Sequence, residues 1–152
     1  GNTCNNNADS GIYLDSSSNN NTVTGNTCNN NNYGIYLYSS SNNTVTGNVC
    51  TNNSYGILLH SSSNNNTITG NTCNNNNSDG IYLYSSSNNT ITGNTCIRGA
   101  GTSEDYNTDQ YTIRLQGTSN YNLISSNNCM GKEVVVEGGT GNTLVNNKFD
   151  ES

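Results

Sequence analysis

The side chains that could do chemistry in this 152-residue chain are few: six cysteines, ten tyrosines, one histidine and ten carboxylates. The cysteines stand singly, at Cys4, Cys28, Cys50, Cys73, Cys96 and Cys129, without the C-x2-C pairs of zinc and redox sites. Tyr36, Tyr38, Tyr82 and Tyr84 occupy matched places in two G-I-Y-L-Y runs. Rings exposed in such a row form a platform on which sugar rings can stack, but tyrosine is also a good strand residue that pairs with its neighbours. Both roles stay open from the sequence. A glycosidase needs two carboxyl groups at a defined separation. The outward places of the runs read Tyr13, Tyr36, Leu58, Tyr82, Arg114, Val135, then Asp15, Tyr38, His60, Tyr84, Gln116, Glu137. No two carboxylates face each other on adjacent runs, so no catalytic residue is expected. The remaining polar cluster is Arg98 with Glu104, Asp105 and Asp109, which suits a cation or a sugar unless it is a solvated loop. His60 has no second ligand beside it in its own column, where Tyr38 and Tyr84 stand on the adjacent runs, so neither a metal nor a cofactor is expected.

These residues recur because the chain itself recurs. G-N-x-C begins at Gly1, Gly25, Gly47, Gly70 and Gly93, at spacings of 24, 22, 23 and 23 residues. G-I-x-L begins at Gly11, Gly34, Gly56 and Gly80, and N-T-[V/I]-T-G-N at Asn21, Asn43, Asn66 and Asn89. Two worn copies follow, around Thr112 and Val134. Apolar and polar residues alternate within each unit, which is the period of a strand. The spacing predicts three short strands per unit, at Gly34 to Ser39, Asn43 to Thr46, and about Val49 to Cys50. One unit cannot bury its inner face, whereas units stacked in parallel at about 4.8 Å can. The expected fold is all-β: one parallel β-helix domain over 1–152, a solenoid of about six coils of 22–24 residues.

Stacking turns each repeated position into a column. Ile12, Ile35, Ile57, Ile81, Ile113 and Val134 form one inner column, and the cysteines form another. Stacked Cβ atoms about 4.8 Å apart exceed the roughly 3.5 to 4.5 Å of a disulfide, so free buried thiols are expected. Asn26, Asn48, Asn71 and Asn94 follow glycines placed at sharp corners, and amides stacked there can hydrogen-bond from coil to coil. Residues 97–109 read as a loop insertion. Residues 112–152 read as degenerate coils whose Lys132, Glu133, Glu137, Lys148, Asp150 and Glu151 make a partial cap.

Bulk composition narrows the function. Four Lys and Arg against ten Asp and Glu, net charge -6, cannot form a basic nucleic-acid face. No apolar run nears the roughly 20 residues of a membrane span. The 36 asparagines and the 25 Ile, Leu, Val and Phe would suggest disorder, but a thin solenoid needs only about four inward side chains per coil.

The run G-I-Y-L-Y-S-S-S-N-N-T-V-T-G-N from Gly34 to Asn48, with its near copies, resembles right-handed parallel β-helix repeat proteins of the NosD type. These are related to the carbohydrate-binding and sugar-hydrolase β-helix group and are common on archaeal and bacterial surfaces. The resemblance covers nearly the whole chain, and it implies a right-handed coil and an extracellular or cell-surface location. It suggests copper only by analogy, for the sequence offers no ligand cluster, and a fold does not carry function. The expected role is structural and non-enzymatic: a stalk segment, or a fibre subunit stacking head to tail on copies of itself. The chain starts in mid-repeat at Gly1, and its open strand edges suit such stacking. The alternative is glycan binding or polysaccharide processing at the Tyr face. A third possibility is ice binding through Thr-x-Thr rows such as Thr44 and Thr46, which Leu123, Ser125 and Val145 interrupt.

Overall fold

In the computed structural model, which describes residues 1–99 and 109–150, the alternating runs are strands and the repeats are rungs. One side of the coil is a six-stranded parallel sheet of β1 (Ser10–Leu14), β3 (Tyr33–Tyr38), β5 (Tyr55–His60), β7 (Asp79–Tyr84), β9 (Tyr111–Gln116) and β12 (Val135–Val136), in that order. The second side stacks β2 (Thr22–Thr24), β4 (Thr44–Thr46), β6 (Thr67–Thr69), β8 (Thr90–Thr92), β10 (Leu123–Ser125) and β13 (Thr143–Val145). Equivalent residues pair in register, Ile35 with Ile57 and Ile57 with Ile81, Thr44 with Thr67 and Thr67 with Thr90.

The third side is shorter than the sequence predicts. It is a single bridged residue per coil, running from Thr3 through Thr27, Val49, Thr72 and Thr95 to Asn128. Only the last coils lengthen it, into β11 (Asn128–Met130) and β14 (Lys148–Asp150). The corner glycine Gly47 at φ +64° and Asn52 at φ +56° bound this side of the coil.

The core is a set of identical layers. Ile35, Leu37, Val45 and Cys50 of one coil are fully buried, as are Ile57, Leu59 and Ile68 of the next. Five cysteines are buried, Cys4 is half-buried, and all six are free. Burying a Leu or Ile side chain contributes about 1.5 to 3 kcal/mol, and here each such gain is repeated on every rung.

Asparagine is abundant because it holds the corners. The backbone N–H and the side-chain amide of Asn48 both donate to Asn71 Oδ1, at 2.9 and 3.0 Å, and Asn71 repeats this onto Asn94. A second ladder the sequence did not single out runs through Asn43, Asn66, Asn89 and Asn122. A third runs through Asn31, Asn53 and Asn76. Side-chain amides thus satisfy buried backbone groups that the tight corners take out of the sheet ladders.

Candidate functional site

The first sheet turns one face inward and the other to solvent, and the outer face carries the aromatic residues. Along its middle column Tyr13 stacks on Tyr36 with ring centroids 4.9 Å apart. On the next rung that position is Leu58, which pairs in register with both Tyr36 and Tyr82. A tyrosine column therefore loses one ring, and Leu58 floors the gap at only 5% exposure.

Six rings close around this floor. Tyr36 contacts Tyr33 at 4.8 Å, Tyr33 stacks on Tyr55 at 5.5 Å, and Tyr55 leans across to Tyr82 at 5.9 Å. Tyr82 meets Tyr84 at 6.1 Å, Tyr84 stacks on His60 at 4.9 Å, and His60 returns to Tyr36 at 6.4 Å. Every separation lies within the roughly 4.5 to 7 Å of interacting aromatic pairs, so the circuit has no missing link. It surrounds a half-open notch of about 240 Å³. Rings of the middle column cross those of the Tyr38, His60 and Tyr84 column at 64 to 75°, so the wall offers both faces and edges.

The lining carries no formal charge. Burial pushes the His60 imidazole below its ordinary value, and its Nδ1 lies 2.6 Å from Ser61 Oγ. Burial lifts the phenols of Tyr36 and Tyr82 to about 12, which leaves them neutral hydroxyl groups. Tyr82 bonds to Gln116 Oε1 on the next rung.

Beyond Tyr82 the same face becomes charged. The Arg114 guanidinium lies 4.4 Å from the Tyr111 ring centroid and 5.4 Å from that of Tyr82. It is paired with Glu137 Oε2 at 2.6 Å through Nη2 and at 2.8 Å through Nε. Lys132 Nζ lies 3.7 Å from the centroid of Tyr111. Asp79, where Tyr33 and Tyr55 stand on earlier rungs, is fully buried. Ser78 Oγ donates to its Oδ2 at 2.8 Å, while Oδ1 has no hydrogen-bond partner. Burial lifts this carboxyl to about 6, against the opposing pull of the Ser78 hydroxyl and of Arg114.

The sequence-predicted Tyr36, Tyr82 and Tyr84 all line the notch, and Tyr38 stacks on His60 just outside it at 5.7 Å. Tyr33 and Tyr55 were not among the predicted residues. Their signal was the column immediately before each glycine, reading Ser10, Tyr33, Tyr55, Asp79. Glu104 and Asp105 lie outside the described residues. Asp109 is exposed, acts on Lys132, and does not line the notch. The predicted asparagines Asn26, Asn48, Asn71 and Asn94 all stand in one ladder.

A coil of parallel strands around columns of like residues, carrying its distinctive side chains on an outer face, defines a β-helix repeat protein. Residues 1–152 match the family described as "Periplasmic copper-binding protein (NosD)", and the chain belongs to that family, as a right-handed parallel β-helix. No curated protein and no solved structure matches it.

The family's description raises the question of copper, which takes imidazole, thiolate or thioether donors. Among the described residues no three His, Cys, Asp or Glu side chains gather into a metal-binding group. His60 stands between the stacked rings of Tyr38 and Tyr84. The thiols line the core, where burial pushes Cys73 well above its ordinary value and Cys129 to about 11, against forming a thiolate ligand. These donors do not fit a copper centre.

Proposed function

We propose that this chain is a non-enzymatic binding solenoid, a rigid rod outside the cytoplasm that holds one saccharide ring in the notch over Leu58. The observation that carries this is the closed circuit of six aromatic rings around an uncharged apolar floor. A pyranose offers C–H groups to ring faces and hydroxyls to the rim, which matches such a wall. The bound ring takes the place that tyrosine holds on the neighbouring rungs. The extracytoplasmic location rests on the family's periplasmic description.

The test is Leu58→Tyr, which restores the missing ring and fills the notch with a side chain the same column accommodates on both adjacent rungs. A glycan array probed with the native chain, Leu58→Tyr and Tyr82→Ala should give binding that both variants lose, with the far-ultraviolet spectrum of Leu58→Tyr unchanged. Binding that survives Leu58→Tyr refutes the assignment, as does a blank array.

A further inference from the structure

We infer that the notch accepts only the terminal, uncharged sugar of a glycan and excludes internal residues of the chain. The inference rests on the saccharide assignment above and adds what kind of sugar and which position. An internal pyranose carries glycosidic bonds at two edges of its ring, roughly in the ring plane. If it lay flat on Leu58, both bonds would run into the wall, because no neighbouring pair in the circuit is more than 6.4 Å apart. If it entered edge first, only one edge would face the mouth, and a chain could leave from that edge alone. Either way the geometry admits a chain end. The volume agrees, since about 240 Å³ falls below the roughly 300 to 1,000 Å³ of sites for larger ligands.

Charge sets the second restriction. A uronate or other acidic sugar entering the notch would lose water and find no cation to compensate it. Arg114 lies on the far side of Tyr82 and is held by Glu137, and the carboxyl nearest in the sheet is Asp79, next in register to the wall residue Tyr55. The chain as a whole is negative, at -6. Acidic sugars are therefore rejected, and neutral hexoses and N-acetylhexosamines are the matching class.

The experiment follows tyrosine fluorescence, the intrinsic probe of a chain with ten tyrosines and no tryptophan. The ligands are methyl glycosides of glucose, galactose, mannose and N-acetylglucosamine, their linear oligomers of two to six units, glucuronic acid, and choline chloride. Each linear oligomer has one non-reducing end. The sugar that binds should therefore do so with a molar affinity constant to about threefold from methyl glycoside to hexamer, with glucuronic acid silent. Leu58→Tyr should weaken it by about tenfold or more. Tyr84→Ala opens the wall between His60 and Tyr82 and should make affinity rise with chain length.

Affinity that climbs about tenfold with length in the native chain, yet is lost in Leu58→Tyr, overturns the terminal-sugar inference while the saccharide assignment stands. A length-independent response unchanged by Tyr84→Ala overturns it too, because the wall would then not be the cause. Glucuronic acid binding overturns the charge restriction. Saturable choline binding lost in Leu58→Tyr, with no sugar response, overturns both by making the notch a cation cage. No response to any ligand also overturns both.

Discussion

Removing one amide from the middle of a ladder should cost far more than its size suggests. Asn71 is 1% exposed. Its Oδ1 accepts from Asn48 N at 2.9 Å and Asn48 Nδ2 at 3.0 Å. Its Nδ2 donates to Val45 O at 2.9 Å, Thr69 O at 3.2 Å and Asn94 Oδ1 at 3.0 Å. Asn71→Ala deletes all five and keeps the two backbone bonds, Asn71 N–H to Asn94 Oδ1 and Thr95 N–H to Asn71 O. A net hydrogen bond contributes about 1 kcal/mol, and a stranded buried donor costs about 1 to 3 kcal/mol. Because several of the five share an atom, the sum is best taken as about 4 kcal/mol, concentrated at one rung. The loss should appear in urea denaturation followed by circular dichroism, and as faster hydrogen exchange of the Asn48 amide, whose acceptor has gone. Asn30→Gly is the control: Asn30 is exposed at φ +56°, and stability there should stay within about 0.5 kcal/mol. A loss below about 1 kcal/mol for Asn71→Ala, with the Asn48 amide still protected, would refute the view that the side-chain ladder holds the corner.

Other perturbations have equally definite outcomes. A Cβ on Gly34 would sit 2.5 Å from Gly56 O and 2.9 Å from Cys50 Cβ, so Gly34→Ala should destabilise by about 3 kcal/mol in the same denaturation assay. Asp79 has a folded value near 6 against an ordinary 3.8. It holds a proton in the folded state that the unfolded chain releases, so its contribution is full below about pH 4 and is lost as pH rises through about 6. Asp79→Asn should therefore raise the melting temperature at pH 7.5, by an amount equivalent to about 3 kcal/mol at most, and leave it unchanged at pH 3.5. A thiol reagent at pH 8 should reach only the half-buried Cys4 in the native chain and all six cysteines after unfolding. Because burial raises Cys73 and Cys129, stability should fall as pH rises from about 9 toward 11, measured by melting temperature.

The inner columns were legible because each repeats at a fixed spacing and period two assigns it a face. Ile35, Leu37, Val45 and Cys50 needed only counting. The ladder at Asn48 was legible because a glycine corner precedes it. The ladder at Asn43 was not, since Asn42 and Asn43 read alike in sequence, yet Asn42 is exposed at φ +59° and Asn43 is 1% exposed. The notch was half visible. Tyr36, Tyr82 and Tyr84 follow from alternation, but Tyr33 and Tyr55 precede the glycine where counting from G-I-x-L begins. Closure of the circuit depends on Tyr55 leaning toward Tyr82 on a rung where Asp79 stands in the tyrosine column. Ring tilt is set by neighbours from other coils, and no local pattern encodes it. Leu58 counts as outward and is nevertheless covered, because the rings around it are larger than it is.

The orientation of the ladders also decides how the molecule responds to force. Sheet bonds and asparagine bonds alike join one coil to the next, as Asn48 to Asn71 and Ile35 to Ile57. Tension spread evenly across a rung is shared by the whole set at once and resisted in parallel. Tension applied through the chain at one end loads the same bonds one after another and peels a coil at a time. Each coil released would lengthen the tether by roughly 80 Å, the extended length of one repeat at about 3.4 Å per residue. The rod is therefore tough when gripped across its face and ravels when pulled by a thread, with a sawtooth period that equals the repeat in the sequence.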